Sequence, residues 1–122
     1  MNQYETFEVW LNKYLIRGIS PDVQAVNFNL YESSGSDEDF DVQLIGALKY
    51  DPNNPDWACN AIFSTGEDLC HIKATDWEEC LQIIIAYVQR YLSNGKYVEK
   101  IANLQAVTVG FVDGDLEIIF QK

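Results

Sequence analysis

One segment, residues 75–95, constrains this chain more than any other, because it carries both a helix start signal and a helix stop signal. It reads TDWEECLQIIIAYVQRYLSNG. Thr75 and Glu78 have the spacing of a capping box, and acidic residues in the first turn suit the helix dipole. Gly95 supplies the left-handed residue with which helices commonly end. The sequence therefore predicts a long helix over this segment.

Apolar residues recur along this helix at steps of three and four, which defines one buried face. Additional apolar positions widen the face beyond a narrow stripe, so we expect the helix to be covered on more than one side. This pattern is typical of a core element. The predicted face consists of Trp77, Cys80, Leu81, Ile84, Tyr87, Val88 and Tyr91, widened by Ile83, Ile85 and Leu92.

A second amphipathic helix is predicted near the N-terminus. Asn2 and Glu5 have capping-box spacing, Gly18 ends the pattern, and Pro21 prevents the helix from continuing. Its apolar face is rich in aromatic side chains. The residues at helical spacing are Tyr4, Phe7, Trp10, Leu11, Tyr14 and Leu15.

Two segments with a period of two follow this helix. Residues 23–32 and 40–50 alternate apolar and polar side chains, and the polar stretch SSGSDED joins them. Alternation of this kind indicates half-buried strands, and a short polar connection between them indicates an antiparallel hairpin. The inward-facing residues are predicted to be Val26, Phe28 and Leu30 on the first strand, and Phe40, Val42, Leu44 and Leu48 on the second.

The rest of the chain predicts further strands and a short helix. Trp57, Cys59, Ala61 and Phe63 are expected to share one face of a third strand. Residues 69–73 form a fourth, and one or two helical turns lie within 96–104. Two alternating runs within 106–120 flank Asp113-Gly114, which predicts a closing hairpin with a type I′ turn.

The resulting order is helix, hairpin, one or two strands, helix, hairpin. This order predicts a single α+β domain over residues 1–122. We expect a mainly antiparallel sheet of five to six strands, with two main helices packed on one face. A fully parallel sheet would need a regular alternation of strands and helices, which the sequence lacks.

The charge balance restricts the partners of this domain. The chain has 19 acidic and 8 basic residues, for a formal net charge of −11. Such a charge opposes binding to nucleic acids and to anionic membranes, and it favours a cationic partner. The alternative is that the acidity serves only solubility.

The N-terminal sequence, the apolar runs and the cysteines together predict the cellular compartment. The start, MNQYETFEVW, lacks the pattern of a signal peptide, and no apolar run approaches the length of a membrane span. Three cysteines, an odd number, are most simply interpreted as reduced thiols. We therefore expect a cytoplasmic protein.

Candidates for catalytic chemistry are few. His71 is the one histidine, and its neighbour Cys70 should point to the opposite face of the strand, so this pair does not predict a catalytic dyad. Cys59 and Cys80 are interpreted as core residues, although either could approach His71 in space. The spacings within this set also do not fit a structural zinc site. We predict no catalytic residue, metal or cofactor.

Acidic residues gather at loops, where binding surfaces are commonly presented. A negative rim would speed association with a basic partner, and exposed aromatic side chains would anchor it. The acidic residues in the first turn of the long helix are explained by capping and by the helix dipole. They are therefore not included among the predicted partner-binding residues. The predicted partner-binding residues are Asp37, Glu38, Asp39, Asp41, Glu67 and Asp68, with Tyr31 and Trp57 as aromatic anchors.

Three runs of the chain, together about half of its length, resemble the small acidic immunity proteins of bacterial toxin systems. The runs are DWACNAIFSTGED (56–68), DWEECLQIIIAYVQRYLSNGKY (76–97) and AVTVGFVDGDLEIIF (106–120), of which VGFVDGDLEII is the most distinctive part. Such proteins are typically single α+β domains that bind and neutralise a cognate toxin domain. Their toxin-contacting surfaces vary, so the resemblance transfers no contact residue to this chain.

The first functional hypothesis is therefore a non-enzymatic immunity protein that occludes a toxin's active site or a surface near it. A nuclease toxin with a basic substrate groove would suit a chain of this charge. Two alternatives remain open. One is a small hydrolase or transferase that uses His71 with Cys70 or nearby carboxylates. The other is a scaffold domain that dimerises through a sheet edge or an aromatic patch. The sequence leaves the oligomeric state open.

Overall fold

The computed structural model describes residues 1–33, 37–112 and 114–122 and shows an α+β fold built on one sheet. Both main helices and the first hairpin lie where the sequence predicts them. The elements in chain order are α1 (Gln3–Arg17), β1 (Ala25–Glu32), β2 (Asp39–Ala47), a 3₁₀ turn (Pro55–Cys59), β3 (Ala61–Ser64), β4 (Cys70–Lys73), α2 (Trp77–Asn94), α3 (Glu99–Ala102), β5 (Ala106–Phe111) and β6 (Glu117–Gln121).

Within the described residues the sheet has six strands, of which five run in the spatial order β3-β2-β1-β5-β6. The remaining strand, β4, pairs with the Asp39 end of β2, whereas β3 pairs with the Ala47 end. The strands β1 and β5 are parallel, and the other paired strands are antiparallel. The prediction of a mainly antiparallel sheet of five to six strands is confirmed.

The two main helices pack against the same face of the sheet and form the principal core with it. The period of two in β1 and β2 places their apolar side chains on this face, as predicted. Strand β2 ends at Ala47, so Leu48 is not part of the core and is 48% exposed. The largest fully buried side chains include Tyr91, Phe7, Phe28, Phe40, Leu11, Leu15 and Ile84.

Both ends of α2 differ in detail from the sequence prediction. The N-cap is Asp76, whose side chain accepts from the backbone N–H of Glu79, while the Glu79 carboxylate accepts from the N–H of Thr75. Gly95 has φ −65° and ψ 145°, so the predicted left-handed conformation is wrong. A β-carbon at this position would overlap the ring of Tyr91, and glycine is required here for space. Gly18 at the end of α1, in contrast, has φ 82°.

The predicted third strand is wrong over its first half. Pro55 begins a 3₁₀ turn, capped by the side chain of Asn54, and the strand itself begins at Ala61. Within this turn Trp57 is buried and Cys59 is exposed, so the prediction of Cys59 as a core residue is also wrong. Trp57 packs with Ala25, Ala47 and Ala106 in a second, smaller cluster on the sheet face opposite the helices.

The closing hairpin is confirmed as an antiparallel pair of β5 and β6, but its connection is longer than the predicted two-residue turn. The strands end at Phe111 and resume at Glu117, and the predicted turn residue Asp113 lies outside the described residues. A β-carbon at Gly110 would come 2.7 Å from the carbonyl oxygen of Asp115. Gly110 therefore lets this connection lie directly on the sheet.

Candidate binding surface

The face of the sheet opposite the helices, called here the second face, carries the polar side chains of the alternating strands. Because the core residues of β1 and β2 point to the helices, the residues between them point away. Along β1 these are Ala25, Asn27, Asn29 and Tyr31. Along β2 they are Ala47, Ile45, Gln43, Asp41 and Asp39, and β4 adds His71 and Lys73.

Amide side chains on this face form a continuous series of hydrogen bonds. Asn27 donates to Oδ1 of Asn29 at 2.5 Å, and Asn29 donates to Oε1 of Gln43 at 3.2 Å. Gln43 in turn donates to the carbonyl oxygen of Gly66, and the Tyr31 hydroxyl donates to Oε1 of Gln43 at 2.9 Å. These bonds fix the side chains in place, which gives the second face a preorganised polar surface.

The inner end of this series is buried. Asn27 and Thr108 are each 1% exposed, and the Thr108 hydroxyl lies 2.8 Å from Oδ1 of Asn27 and 3.1 Å from the carbonyl oxygen of Val26. Buried polar groups are tolerated when they are hydrogen-bonded, as these are.

A cavity of about 700 Å³ lies above these amides. Its floor includes Asn27, Asn29 and Gln43. One wall is the 3₁₀ turn with Asp56 and Cys59, and another is formed by the β5–β6 connection. A cavity of this size and mixed lining can accept a group from a partner molecule.

The outer end of the second face carries charged residues. Asp39 accepts from Nζ of Lys73 at 2.8 Å, and Nε2 of His71 lies 3.0 Å from the same carboxylate. Nδ1 of His71 lies 3.4 Å from Asp41, whose other oxygen accepts from the Ser33 hydroxyl at 2.6 Å. The hydrogen bond from Lys73 is the main cause that lowers the pKa of Asp39. Asp39 therefore stays ionised at neutral pH, and Lys73 partly neutralises its charge within the fold.

The structure brings together part of the predicted partner-binding set. Tyr31, Asp39 and Asp41 share the second face, and Asp37 and Glu38 lie just before β2 at the same end. Glu67 is exposed on the β3–β4 turn.

Asp68 and Trp57 do not join this surface. The Asp68 carboxylate accepts from Lys13 and Tyr14 of α1, so it is engaged on the helix side of the sheet. Trp57 is only 7% exposed and packs beneath the 3₁₀ turn against the ring of Tyr50, so its prediction as an exposed anchor is wrong.

The arrangement around His71 and Cys70 follows the predicted alternation. Cys70 is buried on the helix side, whereas the His71 side chain is 53% exposed on the second face. Burial raises the pKa of the Cys70 thiol to about 12, with Asp41 and Asp68 adding to the shift, and burial alone raises that of Cys80 to about 12. These two thiols are therefore protonated at neutral pH, which is the opposite of an activated nucleophile.

Possible metal ligands do not converge within the described ranges. Across residues 1–33, 37–112 and 114–122, no group of three or more histidine, cysteine, aspartate or glutamate side chains is placed to hold a metal ion. The same part of the chain contains no helix with the length and apolar character needed to cross a membrane.

The exposure of Trp77 does not follow from the helical pattern of the sequence. Trp77, assigned to the buried face of α2, is 51% exposed at the first position of that helix, with its ring edge-on to Phe111 at 6.2 Å. The only sequence signal for this exposure is its place in the first turn beside acidic residues.

No family model matches the chain, and neither a curated protein nor a solved structure matches it.

Proposed function

We propose that this domain is an immunity protein that binds and neutralises a cognate bacterial toxin domain by covering it. The observation that carries the proposal is the second face. It is free of the two main helices, it carries a preorganised row of amide and acidic side chains, and it surrounds a cavity of about 700 Å³. A rigid, partly concave polar surface suits recognition of another protein with little conformational cost.

The charge of the domain indicates a basic partner. The chain carries −11, and acidic residues 37, 38, 39 and 41 lie at one end of the second face. Four carboxylates meet the single ammonium of Lys73 at this end of the second face, so its net charge is negative. Complementary charge of this kind mainly raises the association rate and selects among partners.

The proposal predicts that a neighbouring gene encodes a toxin domain. The test is co-expression with that domain, followed by a binding measurement at two salt concentrations. We expect the double substitution Asp39→Asn with Asp41→Asn to weaken binding at least about tenfold, mostly through slower association at low salt. The matched control is Asp22→Asn with Glu99→Gln, which removes the same charge elsewhere. Unchanged binding and full protection by the first variant, with its melting temperature preserved, would contradict the role of this acidic end in binding, and absence of any binding by the wild type would contradict the proposed function.

A further inference from the structure

A second concave surface lies on the helix side of the molecule, around Trp77. This surface, called here the Trp77 groove, has a volume of about 460 Å³ and is lined by Glu32, Trp77, Leu81, Phe111, Gly114, Asp115 and Glu117. Its apolar walls come from α2 and β5. Its carboxylates come from the end of β1, the β5–β6 connection and the start of β6. Three separate parts of the chain thus direct negative charge around one exposed indole.

Among residues 1–33, 37–112 and 114–122, no ion pair includes a carboxylate of the Trp77 groove. In the described part of the chain the ion pairs join Lys13 to Asp68, His71 to Asp39 and Asp41, and Lys73 to Asp39. None of these pairs includes Glu32, Asp115 or Glu117, and no lysine or arginine lines the groove. The negative charge of the Trp77 groove is therefore less balanced by nearby cations than the negative charge around Asp39 on the second face.

Trp77 packs against the sheet although it is half exposed. It occupies the first position of α2, directly after the Asp76 cap, and its ring packs edge-on against Phe111, which packs in the same way against buried Phe40. An indole face with carboxylates around it attracts a cation, and an apolar wall accommodates the aliphatic part of an arginine or lysine side chain. Tryptophan is also enriched among residues that dominate binding energy.

We infer that the Trp77 groove binds an arginine or lysine side chain of a basic protein partner. The inference builds on the proposed function and identifies a contact of that complex. The groove and the second-face cavity both include Phe111 and Gly114, so only the β5–β6 connection separates them. A partner seated on the second face extends around this connection and places a cationic side chain over Trp77.

The groove is tested with a short peptide containing two arginines, Gly-Arg-Gly-Arg-Gly, and the same peptide with citrulline, which is neutral and nearly the same shape. Binding is followed by the indole N–H resonance of Trp77 in ¹⁵N-labelled protein, assigned with Trp77→Phe. We expect a saturable shift at Trp77 with the arginine peptide, and at least about fivefold weaker binding of the citrulline peptide. Equal binding of the two peptides would overturn the inference.

Charge-matched variants separate the groove from the general acidity of the chain. Glu32→Gln with Glu117→Gln should weaken binding of the arginine peptide several-fold, whereas Asp22→Asn with Glu99→Gln should leave it within about twofold. An equal loss of peptide affinity in both variants would show a diffuse electrostatic effect and would contradict binding in the Trp77 groove. Sedimentation of a concentration series, repeated with Trp77→Ala, tests whether a second copy of the chain fills the groove instead.

The toxin complex then separates the two proposals. If Trp77→Ala leaves toxin affinity unchanged while Asp39→Asn with Asp41→Asn lowers it, the groove inference fails and the proposed function stands. If the chain does not bind the toxin domain at all, the proposed function fails, and the peptide titration still decides whether the groove binds a cationic side chain. If Trp77→Ala and the double variant Asp39→Asn with Asp41→Asn each lower the affinity for the toxin domain, the result supports both the groove inference and the proposed function.

Discussion

Gly95 lies directly against the ring of Tyr91, so that a β-carbon at Gly95 would come 2.6 Å from Cζ and closer still to two other ring carbons. Tyr91 is fully buried. Its hydroxyl donates to Oδ1 of Asn12 at 2.6 Å and accepts from the backbone N–H of Tyr97 at 3.2 Å. One tyrosine thus joins α1, α2 and the chain leading to α3, and its ring has no free space into which it can move.

From this contact we expect Gly95→Ala to destabilise the protein by roughly 1–3 kcal/mol, because overpacking forces the ring or the backbone to shift. The backbone conformation itself is not the cause, since φ is −65°. Urea unfolding followed by tryptophan fluorescence measures the change. Asn94→Ala, one residue earlier on the exposed surface, is the control and should stay within about 0.5 kcal/mol.

Gly95 also shows what the sequence does and does not reveal. A glycine after a helical pattern signals an end of the helix, but the reason for the glycine can be either a left-handed φ or the lack of space. At Gly18 the first reason holds, and at Gly95 the second. Choosing between them requires knowing where Tyr91 packs, which is a tertiary relationship.

The difference between a local sequence pattern and a tertiary contact also explains which of the other sequence predictions are confirmed and which are wrong. Period-two alternation identified the inward faces of β1 and β2, because alternation reports burial directly. For Trp57 it was misleading, since Pro55 and the Asn54 cap turn the chain into a 3₁₀ turn that buries Trp57 on the second face. The exposure of Trp77, and the pairing of β1 with β5, depend on contacts between distant segments that no local pattern specifies.

A second prediction concerns the three thiols. Cys59 is exposed, whereas Cys70 and Cys80 are buried, and burial raises the pKa of each buried thiol to about 12. At pH 8 a thiol of that pKa is thiolate in roughly one molecule in ten thousand, and only the thiolate reacts. We expect Ellman's reagent to modify one cysteine rapidly in the native protein and three after unfolding.

The variant Cys59→Ser identifies that reactive site. In this variant the rapid phase should disappear, while the two slow thiols should remain tied to global unfolding and accelerate with denaturant. Rapid modification of a second thiol in native buffer would contradict the packing described for α2 and β4.

A third prediction links the pH dependence of stability to Asp68. The hydrogen bond from Lys13, followed by that from Tyr14, lowers the pKa of Asp68 below its ordinary value of 3.8. A carboxyl group with a lowered folded-state pKa adds stability above its unfolded-state pKa, and this is lost as the pH falls through the folded-state value. Because both side chains of the Lys13 pair are over 40% exposed, the contribution is below about 1 kcal/mol.

The corresponding experiment compares thermal melts of the wild type and Asp68→Asn at pH 7 and at about pH 2.5. The variant should melt at a lower temperature at pH 7, and the difference should shrink towards the acidic pH as the wild-type carboxyl takes up its proton. Burial and the bond to Asp68 raise the pKa of Tyr14 to about 12, so its hydroxyl remains a donor throughout. The neighbouring change Glu67→Gln should show no such pH-dependent difference.

A fourth prediction tests whether the amide series of the second face is part of the folded core or only a surface feature. Asn27 is 1% exposed and contacts both Asn29 and Thr108, whereas Asn29 is half-buried. Replacing Asn27 by alanine leaves Oδ1 of Asn29 without that donor beneath the cavity, and it removes an acceptor near Thr108. We expect Asn27→Ala to cost about 1–3 kcal/mol, because losing the partner of a buried polar group exposes its full desolvation cost.

Tyr31→Phe is the matched comparison, since it removes one hydroxyl from the outer, half-buried end of the same series. It should cost less, because Gln43 retains its bonds to Asn29 and to the carbonyl oxygen of Gly66. If the two substitutions cost the same, the buried end of the series has no special structural role. A larger cost at Asn27 would mean that the floor of the cavity is required for folding, while the outer positions at Tyr31 and Asp41 are free to vary with the partner.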